Sequence, residues 1–389
     1  MRVLYIAPSI LPSRAANAVH VVMQCDALSR EAGCQVTLLA QRSIRDAAAL
    51  PRALESAFGT DLARVELRTV HGRTPRMASL RIAALLLPLI SRLPDFEVVL
   101  SRNLYASWLL AIILKRPLLF ETHQLETGFR KRMQRAIMRS ARVTTIVISQ
   151  RLQEALEEHH GCRPRRVEVL HDAAPSGMVR LPPAERADGL SRLLPTLGIS
   201  PAPVCGYFGH LYPGRGIEII IEMARKAPEA GFLVVGGNPD DVARIRELCS
   251  GLGNVYIAGH VPHQVARAAM SACDILLMPY QKQVSIGVAG HDTARWMSPM
   301  KMFEYMGAGV PIISSCLPVL EEVLRPESNC LMVPPDQADA WLVAMRRLIG
   351  DSQLADAIGA RAHQDYLEAH TWSARARHIL SMAHKASHA

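Results

Sequence analysis

Apolar positions recur along this chain with two spacings. Short runs rich in Val, Ile and Leu stand at residues 2–7, 35–40, 65–70, 97–101, 118–122, 144–149 and 167–171. Between them apolar residues return every three or four positions, most clearly at 18–31, 78–91, 104–114 and 150–159. Buried strands alternating with amphipathic helices predict parallel pairing in a doubly wound α/β sheet, whose ligands bind beyond the carboxyl ends of the strands. The texture changes at 172–201, where Pro and Gly surround a short Leu-rich piece. A second alternating set follows, with strands at 204–208, 232–236, 255–258, 274–279 and 310–315, and helices from 216, at 241–249 and near 263–271. The pattern predicts one domain over 1–175, a linker over 176–200, a second domain over 201–369, and a final helix over 370–389.

Two stretches of the second set carry candidate chemistry. Ser298-Pro299 reads as a helix start, with Ser298 capping and Pro299 at the first helical position, and Gly309-Val310-Pro311 as its stop. Such a start offers the N–H groups of Met300 and Lys301 to an anion, with an ammonium beside them. Glu304, one turn further in, can accept sugar hydroxyls. Taken alone, the same residues describe an ordinary capped helix with a surface Glu. The other stretch runs from Gly206 to Gly216 after a strand and opens a helix, so Gly209 and Gly216 let backbone approach a ligand or form a tight turn. Together, about 90 residues apart, they predict a nucleotide-sugar site.

Ser298-Pro299-Met300-Lys301-Met302-Phe303-Glu304-Tyr305-Met306 resembles the donor motif of retaining GT-B glycosyltransferases, the group 1 or family-4-like enzymes that include sucrose and phosphatidylinositol mannosyl synthases. The resemblance implies a GT-B fold, two Rossmann-like domains facing across a cleft, with the C-terminal helix that begins at Thr371-Trp372 crossing back to the first. It implies that the helix-start amides take the donor diphosphate and Glu304 the ribose. In the glycine loop Arg215 stands at the family's Lys position and His210 at its Arg position. Gly259-His260-Val261-Pro262 matches the place where backbone near Val261 holds the nucleobase, which leaves UDP- and GDP-sugars both open. His123 falls near the donor sugar and acceptor hydroxyl, and Arg14 and Asn17 within reach of the phosphate or acceptor. The chain departs from the family at Trp296, where many members carry a first Glu, and at Ala15-Ala16-Asn17, which replaces a Gly-Gly turn and makes Asn17 an expected helix cap. The implied catalytic set is His123, Arg215 and Lys301. No metal is implied, since no Asp-x-Asp motif stands out, and the nucleotide sugar is a co-substrate in place of a cofactor. His20, a turn into its helix, reads as packed, and Glu126 as a solvated helix face.

Composition narrows the partners. The 389 residues are 49% hydrophobic and 20% charged. Met1–Pro8 enters a strand with no signal-peptide layout, and no apolar run nears the ~20 residues of a membrane span. Eight scattered cysteines make no metal-type pair. These features point to a cytoplasmic, reduced setting. The net charge of +9 is one-sided: residues 1–175 hold 25 Lys and Arg against 15 Asp and Glu, the remainder 19 against 20. A basic half favours an anionic membrane surface, and no nucleic-acid-binding signature is found. Phe129, Met133, Ala136 and Ile137 at helical spacing among five cations, and Arg73, Arg76 and Arg81 ahead of an apolar run, would suit the inner membrane face or a plain solvated surface. The expected function is transfer of a sugar to a lipid-linked or cell-surface glycan. The alternatives are a soluble transferase with a small acceptor and a nucleotide-binding regulator without transferase activity.

Overall fold

The computed structural model describes residues 1–13, 15–60, 62–72, 77–199, 203–284 and 292–387. Arg14, Arg73, Arg76 and the 285–291 part of the loop before Trp296 lie outside them. The chain forms two compact units, Met1–Asp172 with Trp372–Ala389, and Ala173–Thr371.

The first unit is built on seven parallel strands: β1 (Arg2–Leu11), β2 (Gln35–Arg42), β3 (Val65–His71), β4 (Val98–Ser101), β5 (Leu118–Thr122), β6 (Val143–Val147) and β7 (Val167–Val169). Their spatial order is 3-2-1-4-5-6-7, and every pairing is parallel. All seven predicted strands are present. The central strands β4 and β5 are buried along their whole length, because helices cover both faces of such a sheet. The helix expected over 78–91 is broken: Ala78–Ala84 is α-helical and Leu87–Asp95 is a 3₁₀ stretch. Pro88 and Pro94 lack the N–H needed to continue the α ladder. The C-terminal helix Trp372–Ser387 belongs to this unit.

The second unit repeats the pattern with six parallel strands: β8 (Val204–Phe208), β9 (Gly231–Val235), β10 (Val255–Gly259), β11 (Ile275–Met278), β12 (Ile312–Ser315) and β13 (Leu331–Val333), in the order 10-9-8-11-12-13. This is the strand order of dinucleotide-binding sheets, with its crossover point between β8 and β11. The stretch read as a linker folds instead as a helix, Pro183–Leu193, and its Leu190 and Leu194 join the unit's core. Its leucines had a place to be buried, which a texture of Pro and Gly conceals. Helices Ala338–Gly350 and Ser352–Ala369 complete the unit, and Ala174 N–H donates to His370 C=O (3.0 Å) where the chain enters and leaves it.

Candidate active site

In the second unit, the helix Met300–Ala308 buries Met302, Phe303, Tyr305 and Met306. Each such side chain stabilises by about 1.5–3 kcal/mol, so the helix is fixed as a platform. It ends at Gly309 in the left-handed conformation, as the sequence suggests. Its start differs by one residue. Pro299, in extended conformation, takes the cap position, and Ser298, one residue before it, is buried. Intrahelical bonding begins with Met302 N–H to Pro299 C=O (2.9 Å), so Met300 and Lys301 precede the ladder. The Tyr305 hydroxyl accepts from Phe208 N–H (2.8 Å), which ties this helix to the end of β8, where the glycine loop begins.

That loop needs its glycines for more than ligand access. A Cβ on Gly216 (φ +76°) would stand 1.8 Å from the carbonyl oxygen of Pro279, so this turn is held against neighbouring backbone. At Gly209 a Cβ would come within 2.9 Å of Lys301 Nζ, and its absence admits the ammonium to the loop. Lys301 Nζ is buried, has no hydrogen-bond partner among the described residues, and lies 3.9 Å from the ring centroid of Tyr207 and 5.1 Å from that of Tyr280. Two aromatic faces stabilise a cation, yet burial and then Arg215 push the Lys301 pKa well down, with Glu304 opposing. Arg215 donates to the Tyr280 hydroxyl (2.8 Å) and lies over its ring. His210 stacks on Tyr212, its rings parallel within 4°. Desolvation, Arg215 and Lys301 lower its pKa, with Asp241 opposing. Glu304 Oε1 accepts from His263 Nε2 (2.7 Å), a partner that sequence reasoning missed. Val261 is half-buried and packs on the core.

In the first unit, His123 follows β5 and meets a buried cluster. Its Nδ1 accepts from Arg102 Nη2 (3.0 Å) and its Nε2 donates to Glu121 Oε1 (2.6 Å). Burial and then Arg102 lower its pKa to about 4, against the pull of Glu121 and Asp172. Glu121 is fully buried. Desolvation would raise its pKa, but Arg375, His20 and the hydrogen bonds of both histidines hold it well below the usual carboxylate range. Arg375 Nη2 lies 3.1 Å from Glu121 Oε1, and His20 Nε2 lies at the same distance. The other nitrogen of His20 pairs with Asp172 (2.7 Å). His20 is therefore more than packed: it lies between two carboxylates behind His123. Glu126 is not a solvated face either. It is buried and takes a bidentate contact from Arg130 (2.6 and 2.7 Å). Asn17 is no cap, since the helix starts at Ala16. It is exposed, and its side chain accepts from the Ser9 hydroxyl.

His20, His123 and Asp172 offer ligand atoms within 4.8 Å of one another. Those atoms are engaged by protein partners, and the guanidinium groups of Arg102 and Arg375 already supply the positive charge that a metal would bring. The sequence carried signals for the missed residues. Glu121 is two positions before His123 and Asp172 lies at the carboxyl end of β7, while Arg375 follows Trp372 by three residues, on the same helix face.

Residues 18–173 match the family described as Glycosyltransferase Family 4, and residues 215–381 match the one described as Glycosyl transferase-like. The chain belongs to the group 1, family-4-like glycosyltransferases. Among relatives of this glycosyltransferase chain, 2-deoxystreptamine glucosyltransferase of Streptomyces kanamyceticus is 26% identical over 56% of this chain and 53% of its own length. Phosphatidyl-myo-inositol mannosyltransferase of Mycolicibacterium smegmatis is 24% identical over 43% of this chain and 41% of its own. The chain thus spans about half or less of these relatives. The crystal structure of Anabaena HepE in complex with UDP aligns over 99% of this chain and 100% of that one, with TM-score 0.72 and 18% identity, and shows the GT-B fold.

Proposed function

We propose that this chain transfers a sugar from a nucleotide-diphosphate sugar to a hydroxyl acceptor, with retention at the anomeric carbon and without a metal. The observation that carries the reading is Lys301 Nζ, a buried amino group without a hydrogen-bond partner among the described residues, at a helix start beside Arg215. A diphosphate supplies the missing anion, and Lys301, Arg215 and the first-turn amides would stabilise the charge of its departure. Glu304, oriented by His263, has its second oxygen for the ribose hydroxyls, and backbone near Val261 meets the base. The complex of HepE with UDP supports a UDP-sugar donor. Both nitrogens of His123 are engaged by protein, which supports a polar, orienting role and leaves the departing diphosphate to take the acceptor proton. Asn17, exposed in the first turn of its helix, is assigned to the acceptor or phosphate.

Two acceptors have specific support. The phosphatidyl-myo-inositol mannosyltransferase relative and the basic first unit, with 28 Lys and Arg against 15 Asp and Glu, favour a lipid-linked or surface glycan met at the inner membrane face. The 2-deoxystreptamine glucosyltransferase relative favours a small one. No helix among the described residues is long and apolar enough to cross a membrane. The stripe Met133 and Ile137 faces the core, whereas Phe129 is 71% exposed and is the residue available to lipid.

The test is thermal stabilisation by UDP, GDP and ADP on wild type and Glu304→Ala. Stabilisation by one of them, lost in the variant, supports the donor site and names the base. No shift with any nucleotide would sink the reading. Transfer that needs liposomes separates the lipid acceptor from the small one.

A further inference from the structure

The cluster behind His123 draws on every layer around it: Tyr5 on β1, Arg102 after β4, Glu121 on β5, Asp172 after β7, His20 from the helix Ala16–Arg30, and Trp372 and Arg375 from the C-terminal helix. The charges alternate from outside to inside. Arg102 faces Nδ1 of His123, Glu121 faces Nε2, and Arg375 faces Glu121. Arg375 is itself fixed at three points: Nε donates to His171 C=O (3.0 Å), Nη1 to Gln24, and Nη2 reaches Glu121. It is buried almost completely, although it comes from the last helix of the unit.

We infer that Arg375 is a positioning residue for His123, acting through Glu121. The guanidinium keeps Glu121 an anion. That anion accepts only from the Nε2–H form of the imidazole, and Arg102, which can only donate, selects the same tautomer from the other side. His123 is thereby locked with its proton on Nε2 and its ring plane fixed. Proton transfer from the acceptor to His123 is blocked, because neither nitrogen has an open lone pair. The C-terminal helix thus sets the state of the site from behind it. This inference rests on the assignment of His123 to the reaction centre, made above.

The test reads the imidazole directly, so it stands whether or not transfer is detected. Nitrogen-resolved NMR of the full chain should show His123 as the Nε2–H tautomer with no titration between about pH 5.5 and 8, against an ordinary value near 6.5. Arg375→Gln removes a nearby cation and should raise the His123 midpoint by about one unit, whereas Glu121→Gln removes an anion and should lower it and free the tautomer. Arg375→Lys keeps the charge and should restore the wild-type titration. This rescue carries the test if Arg375→Gln does not fold, and a folded Arg375→Lys that titrates as if uncharged would overturn the inference. So would a folded Arg375→Gln with unchanged tautomer and midpoint, or wild-type His123 titrating near its ordinary value. With donor and acceptor in hand, Arg375→Gln should lower kcat by about 10²-fold or less, as a small misplacement does, and leave the donor KM unchanged. Absence of transfer by wild type would sink the proposed function and leave the imidazole result to decide the positioning role.

Discussion

The two units have the same layered sheet and opposite treatments of buried charge. The first carries 28 basic and 15 acidic residues, the second 16 and 20. Yet the buried charges of the basic unit are matched: Glu121 meets Arg375, His20 and His123, and Asp172 meets His20. The acidic unit leaves Lys301 Nζ buried without a hydrogen-bond partner among the described residues, beside two aromatic faces, Arg215 and the opposing charge of Glu304. A matched cluster is built to hold a geometry. An unmatched cation destabilises the free fold and, under the proposed function, gains its counter-ion when the diphosphate binds. Net charge says little about either site, because the excess of the first unit lies mostly on its surface.

The largest effect should come from breaking the matched cluster. Removing one side of a buried ion pair costs about 3–5 kcal/mol, so Arg375→Gln or Glu121→Gln should each lower the urea midpoint strongly. The double variant, which removes both members of the pair, should lose less than the sum. A loss equal to the sum would mean that the two groups do not interact.

Acid comes next. His123 and His160 both have pKa values lowered to about 4, His160 by burial and then by His159, Lys131 and Arg135. The unfolded chain binds protons near pH 6.5 and the folded one does not. The stability these neutral imidazoles contribute is therefore complete above about 6.5 and lost as pH falls towards 4. Melting curves across that window should fall steadily for wild type and less for His160→Gln.

The unmatched cation gives the opposite sign. Lys301→Met should stabilise the free protein by about 1–2 kcal/mol, because it removes an uncompensated buried ammonium. The smallest effect belongs to Phe129→Ser. The residue is 71% exposed, so stability should move by less than about 0.5 kcal/mol, while binding to anionic vesicles should weaken.

Much of this is legible in the sequence alone. The strands β1 to β12 lie where short apolar runs predict them, since buried parallel strands must be continuously apolar. The helix Met300–Ala308 is legible through Gly309 and the Phe303–Met306 stretch. The cap position lies at Pro299, one residue after the Ser298 that the sequence suggests, because Ser-Pro fits two registers. β13, the helix Leu50–Phe58 and the two helices over 338–369 went unread, having no motif to anchor them. His263 and Glu304 are 41 residues apart, and Glu121 and Arg375 are 254 apart in sequence, so neither pair has a local signal. The sequence leaves ligand access and a tight turn both open for the loop glycines, and at Gly216 the neighbouring backbone alone demands a glycine.

The most direct measurement is the melting temperature of wild type and Lys301→Met, each with and without the nucleoside diphosphate that binds. The account predicts a crossing: the variant melts higher when free, and wild type melts higher when saturated, because only wild type turns its buried ammonium into a paired one. A variant that melts lower when free, and gains as much from the nucleotide as wild type does, would contradict it.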